Sequence, residues 1–189
     1  PTVQKKVVPT STPASLLTKF ETEILAELNL FRSNPQNYAK VVENFLNTFD
    51  GHHFTTTEGG KLESFEGKIP VEEVIAILKE TAPLPQFEAV NGMITGAKDH
   101  IQDLVKNNKT GHIGTDSSDP DERVSRYGTA GETGVNENIT YGAKTPRDIV
   151  LTMLIDDGNA NRNHRKNLLN PEMKKVGLGT GEIQRAGLS

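Results

Sequence analysis

The sequence predicts an α+β fold or a layered αβα domain, in which helices outnumber strands. Most segments show apolar residues at helical spacing, only two read as strands, and strands and helices do not alternate regularly. At 189 residues, the chain is long enough for one domain with a substantial core. Residues 1–14 are rich in Pro, Thr and Ser, and we expect a tail or linker there, followed by a single domain over residues 15–189.

Two helices are predicted near the amino terminus. The first begins after Ser15, where apolar residues recur every three or four positions and where Thr18 and Glu21 have the spacing of a capping box. The second begins at Pro35, because proline suits the first turn of a helix, and ends at Asp50-Gly51.

The middle of the chain predicts one irregular segment and two further helices. Residues 51–69 have no clear period and indicate an exposed loop or an irregular hairpin. A short helix follows from Pro70, and a longer one spans roughly 90–106.

The last third contains both predicted strands. A short helix is expected from Asp119 to about Tyr127, and residues 133–142 alternate as a strand does. A long helix starts at Thr145-Pro146, where a helix-start signature stands, and 175–179 is the second expected strand.

Composition excludes several classes of protein. The formal net charge is −4 and the basic residues are scattered, which argues against binding to a nucleic-acid backbone. No apolar run approaches eighteen residues, so no membrane span is predicted. The chain has no cysteine, which leaves its redox compartment open. Its start at Pro1 rather than Met suggests a removed signal peptide or a chosen boundary.

Two carboxylates stand where burial is expected. Glu137 shares one face of the predicted strand with apolar residues, and a buried charge needs a partner or a shifted pKa. Asp157 continues the apolar stripe of the last helix, whereas Asp156 lies about 100° away and is the poorer candidate. The alternative is structural: each carboxylate caps a turn or pairs with an arginine such as Arg162 or Arg165.

Two histidines, His112 and His164, lie in predicted loops rather than on an apolar stripe. They are too far apart for a local zinc motif, so a metal site would have to be assembled by the fold. No Ser or Cys stands in a recognisable nucleophile motif. His100 is expected at the surface or behind the site, and His52 and His53 in a loop.

At these residues the sequence resembles the CAP superfamily of cysteine-rich secretory, antigen 5 and pathogenesis-related 1 proteins, in its cysteine-poor, SCP-like branch. The matching motifs run in family order over roughly residues 15–180. They are Leu28-Asn29-x-x-Arg32-x-Asn34-Pro35, Asp99-His100, Gly111-His112-x-Gly114-x-Asp116-x-Ser118, Arg126-Tyr127-Gly128, Glu137-Asn138-Ile139, Ile155-Asp156-Asp157-Gly158, His164-Arg165-x-Asn167-x-x-Asn170-Pro171 and Val176-Gly177-x-Gly179.

The resemblance implies a three-layer αβα sandwich with a small central antiparallel sheet flanked by helices. It also implies a cleft lined by His112, Glu137, Asp157 and His164, in which the two histidines hold Zn²⁺ or another divalent cation. Asn136 stands where relatives usually have Gly, and Asp157 where many have Glu. After residue 180, the further hydrophobic strand that is usual in relatives is not visible.

Three functions are compatible with this pattern. The leading one is a secreted, extracellular binding module that takes a divalent metal and a small, lipid-like or sterol ligand or a protein partner, without catalysis. The second is a metal-dependent hydrolase in which Glu137 or Asp157 is the general base. The third is a structural polar network that only fixes the packing.

Overall fold

The computed structural model describes residues 16–56, 58–128 and 134–183. The predicted tail at 1–14 lies outside these residues. The chain divides into two compact units, each built from separate stretches. The first unit combines residues up to 22, 88–139 and those from 175 onward; the second combines 23–87 and 140–174. Within the described ranges, no helix is both long and apolar enough to cross a membrane.

Helices dominate the described residues, and all strands are short. The helices are α1 (Lys19–Ser33), α2 (Pro35–Leu46), α3 (Ile69–Glu80), α4 (Asn91–Asn107), α5 (Pro120–Ser125), α6 (Pro146–Ile155) and α7 (Asn163–Leu169). The strands are β1 (Phe49–Asp50), β2 (His53–Thr55), β3 (Lys61–Glu63), β4 (Glu88–Ala89) and β5 (Lys175–Val176).

Local capping explains where most helices begin. Thr18 and Glu21 form the expected capping box, because each side chain accepts the other residue's backbone N–H, at 3.1 and 2.8 Å. Asn34 caps α2 and Thr145 caps α6, with Pro in the first turn of each. The structure confirms these helix starts, which could be predicted because the capping residues were recognisable in the sequence.

The second unit has its core between α2, α3 and α6, and α7 packs on α6. The side chains that are almost fully buried there are Phe31, Tyr38, Val42, Val71, Val74, Leu78, Val150 and Leu154. Beside them, β1, β2 and β3 form an antiparallel sheet in which Phe54 pairs with Leu62. This sheet is the hairpin alternative of the two expected for residues 51–69.

Arg32 of α1 is fully buried in the second unit without a carboxylate partner among its hydrogen bonds. Its guanidinium lies 4.0 Å from the centre of the Phe87 ring. It donates instead to backbone oxygens of Pro85, Leu168, Asn170 and Met173, at 2.6 to 3.3 Å. Burial lowers the pKa of Arg32. Arg32, the arginine of the Leu28–Pro35 motif, therefore stabilises the packing by joining chain segments that are far apart in sequence.

In the first unit, α4 packs on α5, and β4 pairs with β5 in parallel. A Cβ at Gly177, directly after β5, would lie 2.1 Å from the carbonyl carbon of Met93 in α4. A Cβ at Gly179 would lie 3.0 Å from Ala97 of the same helix. The two glycines of the Val176–Gly179 motif thus allow the chain to run directly against α4.

Three expectations about elements were wrong, and the expected antiparallel sheet is accompanied by a second, parallel one. Residues 134–142 form no strand, because Gly134 and Gly142 have positive φ angles and the N–H of Val135 bonds to Asp121 instead of to another strand. One of the two small sheets is antiparallel, as expected, but β4 and β5 are parallel, because a long connection separates them. α2 ends at Leu46, before Asp50-Gly51. His164 lies in α7 rather than in a loop.

Candidate functional site

His112 and Glu137 form a pair in the first unit. The Nδ1 atom of His112 lies 2.9 Å from Oε1 of Glu137. The carboxylate is 18% exposed and the imidazole 49%. The sequence argument that Glu137 needs a partner is therefore met by His112, and the imidazole of the pair stays open to solvent.

Arg123 of α5 fixes both members of this pair. Its Nη2 atom donates to Oε2 of Glu137 at 2.7 Å, and its Nη1 atom donates to the backbone oxygens of His112 and Ser118 at 3.0 and 2.7 Å. The side chain is buried. One guanidinium thus holds the carboxylate that orients the ring and the main chain that carries the ring. Sequence reasoning missed Arg123, because six-residue α5 is too short for periodicity to show which side it buries.

His100 of α4 lies in the same cluster as His112, Glu137 and Arg123. Its side chain is buried, which agrees with the second of the two expected positions, behind the site, and Nε2 lies 2.9 Å from the backbone oxygen of Gly111. Because that oxygen can only accept, Nε2 carries a proton in this contact. The same Nε2 lies 4.0 Å from Glu137. His100 therefore supports the start of the loop that presents His112.

The loop at 111–118 is held by side chains at its other end. The backbone N–H of Thr115 donates to Asp103 of α4 at 2.7 Å. Asp116 accepts from the N–H and hydroxyl of Ser118, which, together with Arg126, lowers the pKa of its carboxyl group. These bonds explain the Gly114-x-Asp116-x-Ser118 motif as a turn. The structure places His112 in a loop, as predicted, but in one anchored on both sides.

His164 pairs with Asp156 in the second unit. The Nδ1 atom of His164 lies 2.8 Å from Oδ1 of Asp156. The other oxygen accepts the backbone N–H groups of His164 and Arg165 at 2.8 and 3.2 Å, which are orphan donors at the start of α7. Asp156 is buried and has a left-handed backbone at the end of α6. One carboxylate therefore ends one helix, caps the next and orients an imidazole.

Asp157 has a different role from Asp156. The prediction that Asp157 lies on the buried face of the last helix was wrong. The helix stops at Ile155, so the left-handed turn at Asp156 reverses which of the two acids points inward. The carboxylate of Asp157 accepts the backbone N–H groups of Phe65 and Glu66 at 2.8 and 2.9 Å. This bonding matches the turn-capping alternative. A signal for the reversal was present, since Asp tolerates left-handed backbone and Gly158 follows.

A network of charges holds the loop between α6 and α7. Arg162 donates to both oxygens of Glu66, at 2.6 and 2.8 Å, and to Glu73 of α3 at 2.9 Å. The hydrogen bonds from Arg162 lower the pKa of Glu66 to about 2. Arg165 also reaches Glu73, at 2.9 Å. The loop that leads into His164 is thus fixed by ion pairs, but Arg162 and Arg165 pair with Glu66 and Glu73 and not with Asp157 or Glu137, for which the sequence alternative named them.

The two pairs share one chemical arrangement, although they lie in different units. In each, a carboxylate oxygen lies within hydrogen-bond distance of Nδ1, and a ring that donates from Nδ1 to this oxygen has Nε2 as the nitrogen that can carry a lone pair. Metal-binding histidines are commonly oriented by a carboxylate in this way. Among the residues that the structure describes, however, no group of three or more His, Cys, Asp or Glu side chains is placed to hold an ion. The predicted cleft with all four residues, and the metal itself, stay predictions.

Comparison with known proteins agrees with the motifs. The family model described as the cysteine-rich secretory protein family, CAP, matches residues 25–185. The uncharacterized protein YkwD of Bacillus subtilis (strain 168) is 26% identical over 125 residues, which is 66% of this chain and 46% of that protein. This chain thus spans about half the length of that relative. No solved structure matches this chain. Helix-rich content with small sheets, as found here, is consistent with the αβα class of this family. The chain belongs to the CAP family.

Proposed function

We propose that the chain is an extracellular binding module in which His112 and His164 each offer a ring nitrogen to a divalent cation. The observation that carries the proposal is the shared orientation: both histidines singled out from the sequence have Nδ1 on a carboxylate oxygen, at 2.9 and 2.8 Å. Zn²⁺ is the natural candidate, because neutral imidazole is one of its usual ligands. Bound there, it would act as a Lewis acid toward a ligand oxygen.

Binding is favoured over hydrolysis by what the carboxylates already do. A general base must be able to take a proton from water within hydrogen-bond reach. Both oxygens of Glu137 accept hydrogen bonds, from His112 and Arg123, and both oxygens of Asp157 accept backbone N–H groups. The two candidate bases are therefore occupied in holding neighbouring groups. This supports an orienting role for Glu137.

A purely structural role is disfavoured by exposure at His112. A side chain that only fixes packing gains by being buried with all polar atoms satisfied. Half of the His112 side chain is exposed, and the next residue, Ile113, is an exposed aliphatic side chain. An imidazole beside an exposed aliphatic group suits a ligand with both a polar and an apolar part. A small lipid-like molecule has this character.

Calorimetric titration of ZnCl₂ into chelator-treated protein tests the proposal. We expect saturable binding that is weakened at least about tenfold by His112→Ala and by His164→Ala. The stoichiometry shows whether the histidines serve one ion or two. His53→Ala is the matched control, because His53 is an exposed histidine on β2. No saturable binding by the wild type, or equal affinity in all three variants, would contradict the metal proposal.

The ligand part of the proposal has its own measurement. Ile113→Ser should weaken binding of a fluorescent sterol or fatty acid and leave zinc affinity within about twofold, because Ile113 is exposed and the change neither removes a metal ligand nor adds a charge beside His112. Loss of zinc binding in that variant would show instead that the loop had been disrupted.

A further inference from the structure

The outer edge of the three-stranded sheet is a candidate interaction surface that does not involve the two histidine pairs. β3 is the last strand of the order β1-β2-β3, and its three residues are all exposed. Within the part of the chain that the structure describes, no other strand pairs with its far side. A free strand edge is a template for pairing with another strand.

The register shows which backbone groups face that open edge. Phe54 pairs with Leu62, and the flanking bonds run from Thr56 N to Gly60 O at 2.8 Å and from Ser64 N to His52 O at 2.7 Å. The even-numbered residues of this segment therefore direct their polar backbone groups toward β2. In an antiparallel ladder this direction alternates from one residue to the next. Lys61 and Glu63 thus direct their N–H and C=O groups toward the open edge.

We propose that β3 pairs antiparallel with β3 of a second copy of this chain, about a two-fold axis at Leu62. In that register, Lys61 lies opposite Glu63 of the partner subunit, and Glu63 lies opposite Lys61 of the partner subunit. Each of these two positions forms a hydrogen-bonded pair of residues, so four backbone bonds form. The sequence Lys-Leu-Glu is self-complementary in charge only in this antiparallel arrangement.

Apolar residues around β3 add to this surface. Leu62 is 53% exposed and would meet its own copy in the closely spaced, non-hydrogen-bonded pair. Phe65 is 85% exposed, although its backbone N–H is fixed by Asp157. Ile69, at the start of α3, is also exposed. Large apolar side chains concentrated on one short segment indicate an interaction surface rather than ordinary exposure.

Lysine on an edge strand usually discourages pairing, because like charges meet. Here the two-fold axis places lysine opposite glutamate. The existing partner of Lys61 does not compete strongly, since its 3.9 Å contact with Asp50 joins two side chains that are mostly exposed. With only three residues in each strand, the interface belongs to the weak and transient class.

Sedimentation analysis from micromolar to millimolar concentration tests the pairing. We expect the wild type to dimerise with concentration, and Lys61→Glu or Glu63→Lys alone to weaken the dimer at least about tenfold, because each puts like charges opposite each other twice. An equimolar mixture of the two single variants should pair again, and the double exchange should restore self-association. Circular dichroism of each variant checks that the fold is kept.

Lys68→Glu is the control, since it makes the same charge change at an exposed position outside β3. It should leave the dimer unchanged. A wild type that stays monomeric at millimolar concentration would overturn the proposal. So would single variants that associate as well as the wild type, or a mixture that fails to pair, because the dimer would then not use this edge.

Discussion

Replacement of Asp156 by alanine tests the assignment of the carboxylate that orients His164. Asp156 accepts two backbone N–H groups at the start of α7 and the ring N–H of His164. It also has φ 56° and ψ 42°. Gly, and to a lesser extent Asn and Asp, adopt this left-handed conformation readily, whereas for other residues it is unfavourable because the Cβ atom is crowded. The change therefore removes a cap and leaves an unfavourable backbone.

The two losses can be separated by three substitutions. Loss of a cap costs about 1 kcal/mol, and alanine in the left-handed region costs roughly 1 to 2 kcal/mol. Asp156→Ala should thus lower the free energy of unfolding by about 2–3 kcal/mol. Asp156→Gly loses the same side-chain bonds without the backbone cost, so it should lower the free energy of unfolding by roughly 1 to 2 kcal/mol less than alanine does. Asp156→Asn keeps an acceptor oxygen and tolerates the backbone, so its effect should be the smallest of the three.

Urea unfolding measures these differences, and the ring ¹⁵N chemical shifts of His164 report which ring nitrogen carries the proton. All three variants should change the His164 tautomer signal, with Asn changing it least. Asp157→Ala is the matched control, because it removes two bonds to the Phe65 and Glu66 amides but none to His164. The reasoning fails if Asp157→Ala moves the His164 signal and Asp156→Ala does not, or if Ala and Gly at 156 are equally stable.

Three further outcomes follow from the same contacts. Arg123→Met should lower the free energy of unfolding by about 2–3 kcal/mol, measured in urea, because three acceptors lose their donor; Arg123→Lys should recover part of this, and a neutral effect of both would contradict it. Because the pKa of Glu66 in the folded protein is about 2, below the ordinary 4.5, its ionised carboxylate stabilises the fold above about pH 5, and this stabilisation is lost as the pH falls toward 2. Between about pH 5 and about pH 2 the Tm of Arg162→Met should therefore fall less than the Tm of the wild type. Gly177→Ala should lower the Tm strongly, since its Cβ would overlap α4, whereas Gly128→Ala has open space and should not; equal Tm values would refute the close approach.

Sequence patterns predicted the elements whose determinants are local. The capping pairs at Thr18 and Asn34, and the span of α4, follow from residues a few positions apart, so they could be derived without tertiary contacts. The segment at 134–142 could not be predicted in this way. Its residues alternate between apolar and polar in the sequence, but a strand also requires a neighbour, which only the fold supplies, and Tyr141, expected on the buried face, is exposed.

The histidine pairs were predictable only in part. His112 and Glu137 stood out because each is of a type and in a place that needs explanation. Arg123 did not, because an arginine on a short helix is ordinarily a surface residue. Asp156 was passed over because helical phase was extended to Asp157, two residues beyond the true end of α6, and in a continuous helix Asp156 would point about 100° away from Asp157.

The bonds of Arg32 also have a consequence for the order of folding. Its acceptors at Leu168 and Met173 lie 136 and 141 residues farther along the chain. During synthesis from the amino terminus, α1 is complete long before these carbonyl groups exist, and closing so long a loop is entropically costly. We expect Arg32 to stay hydrated until the chain up to about residue 173 has left the ribosome, so that the second unit consolidates only after that stretch has been synthesised. Shortened chains that stop before residue 168 should accordingly be the forms that aggregate or are degraded.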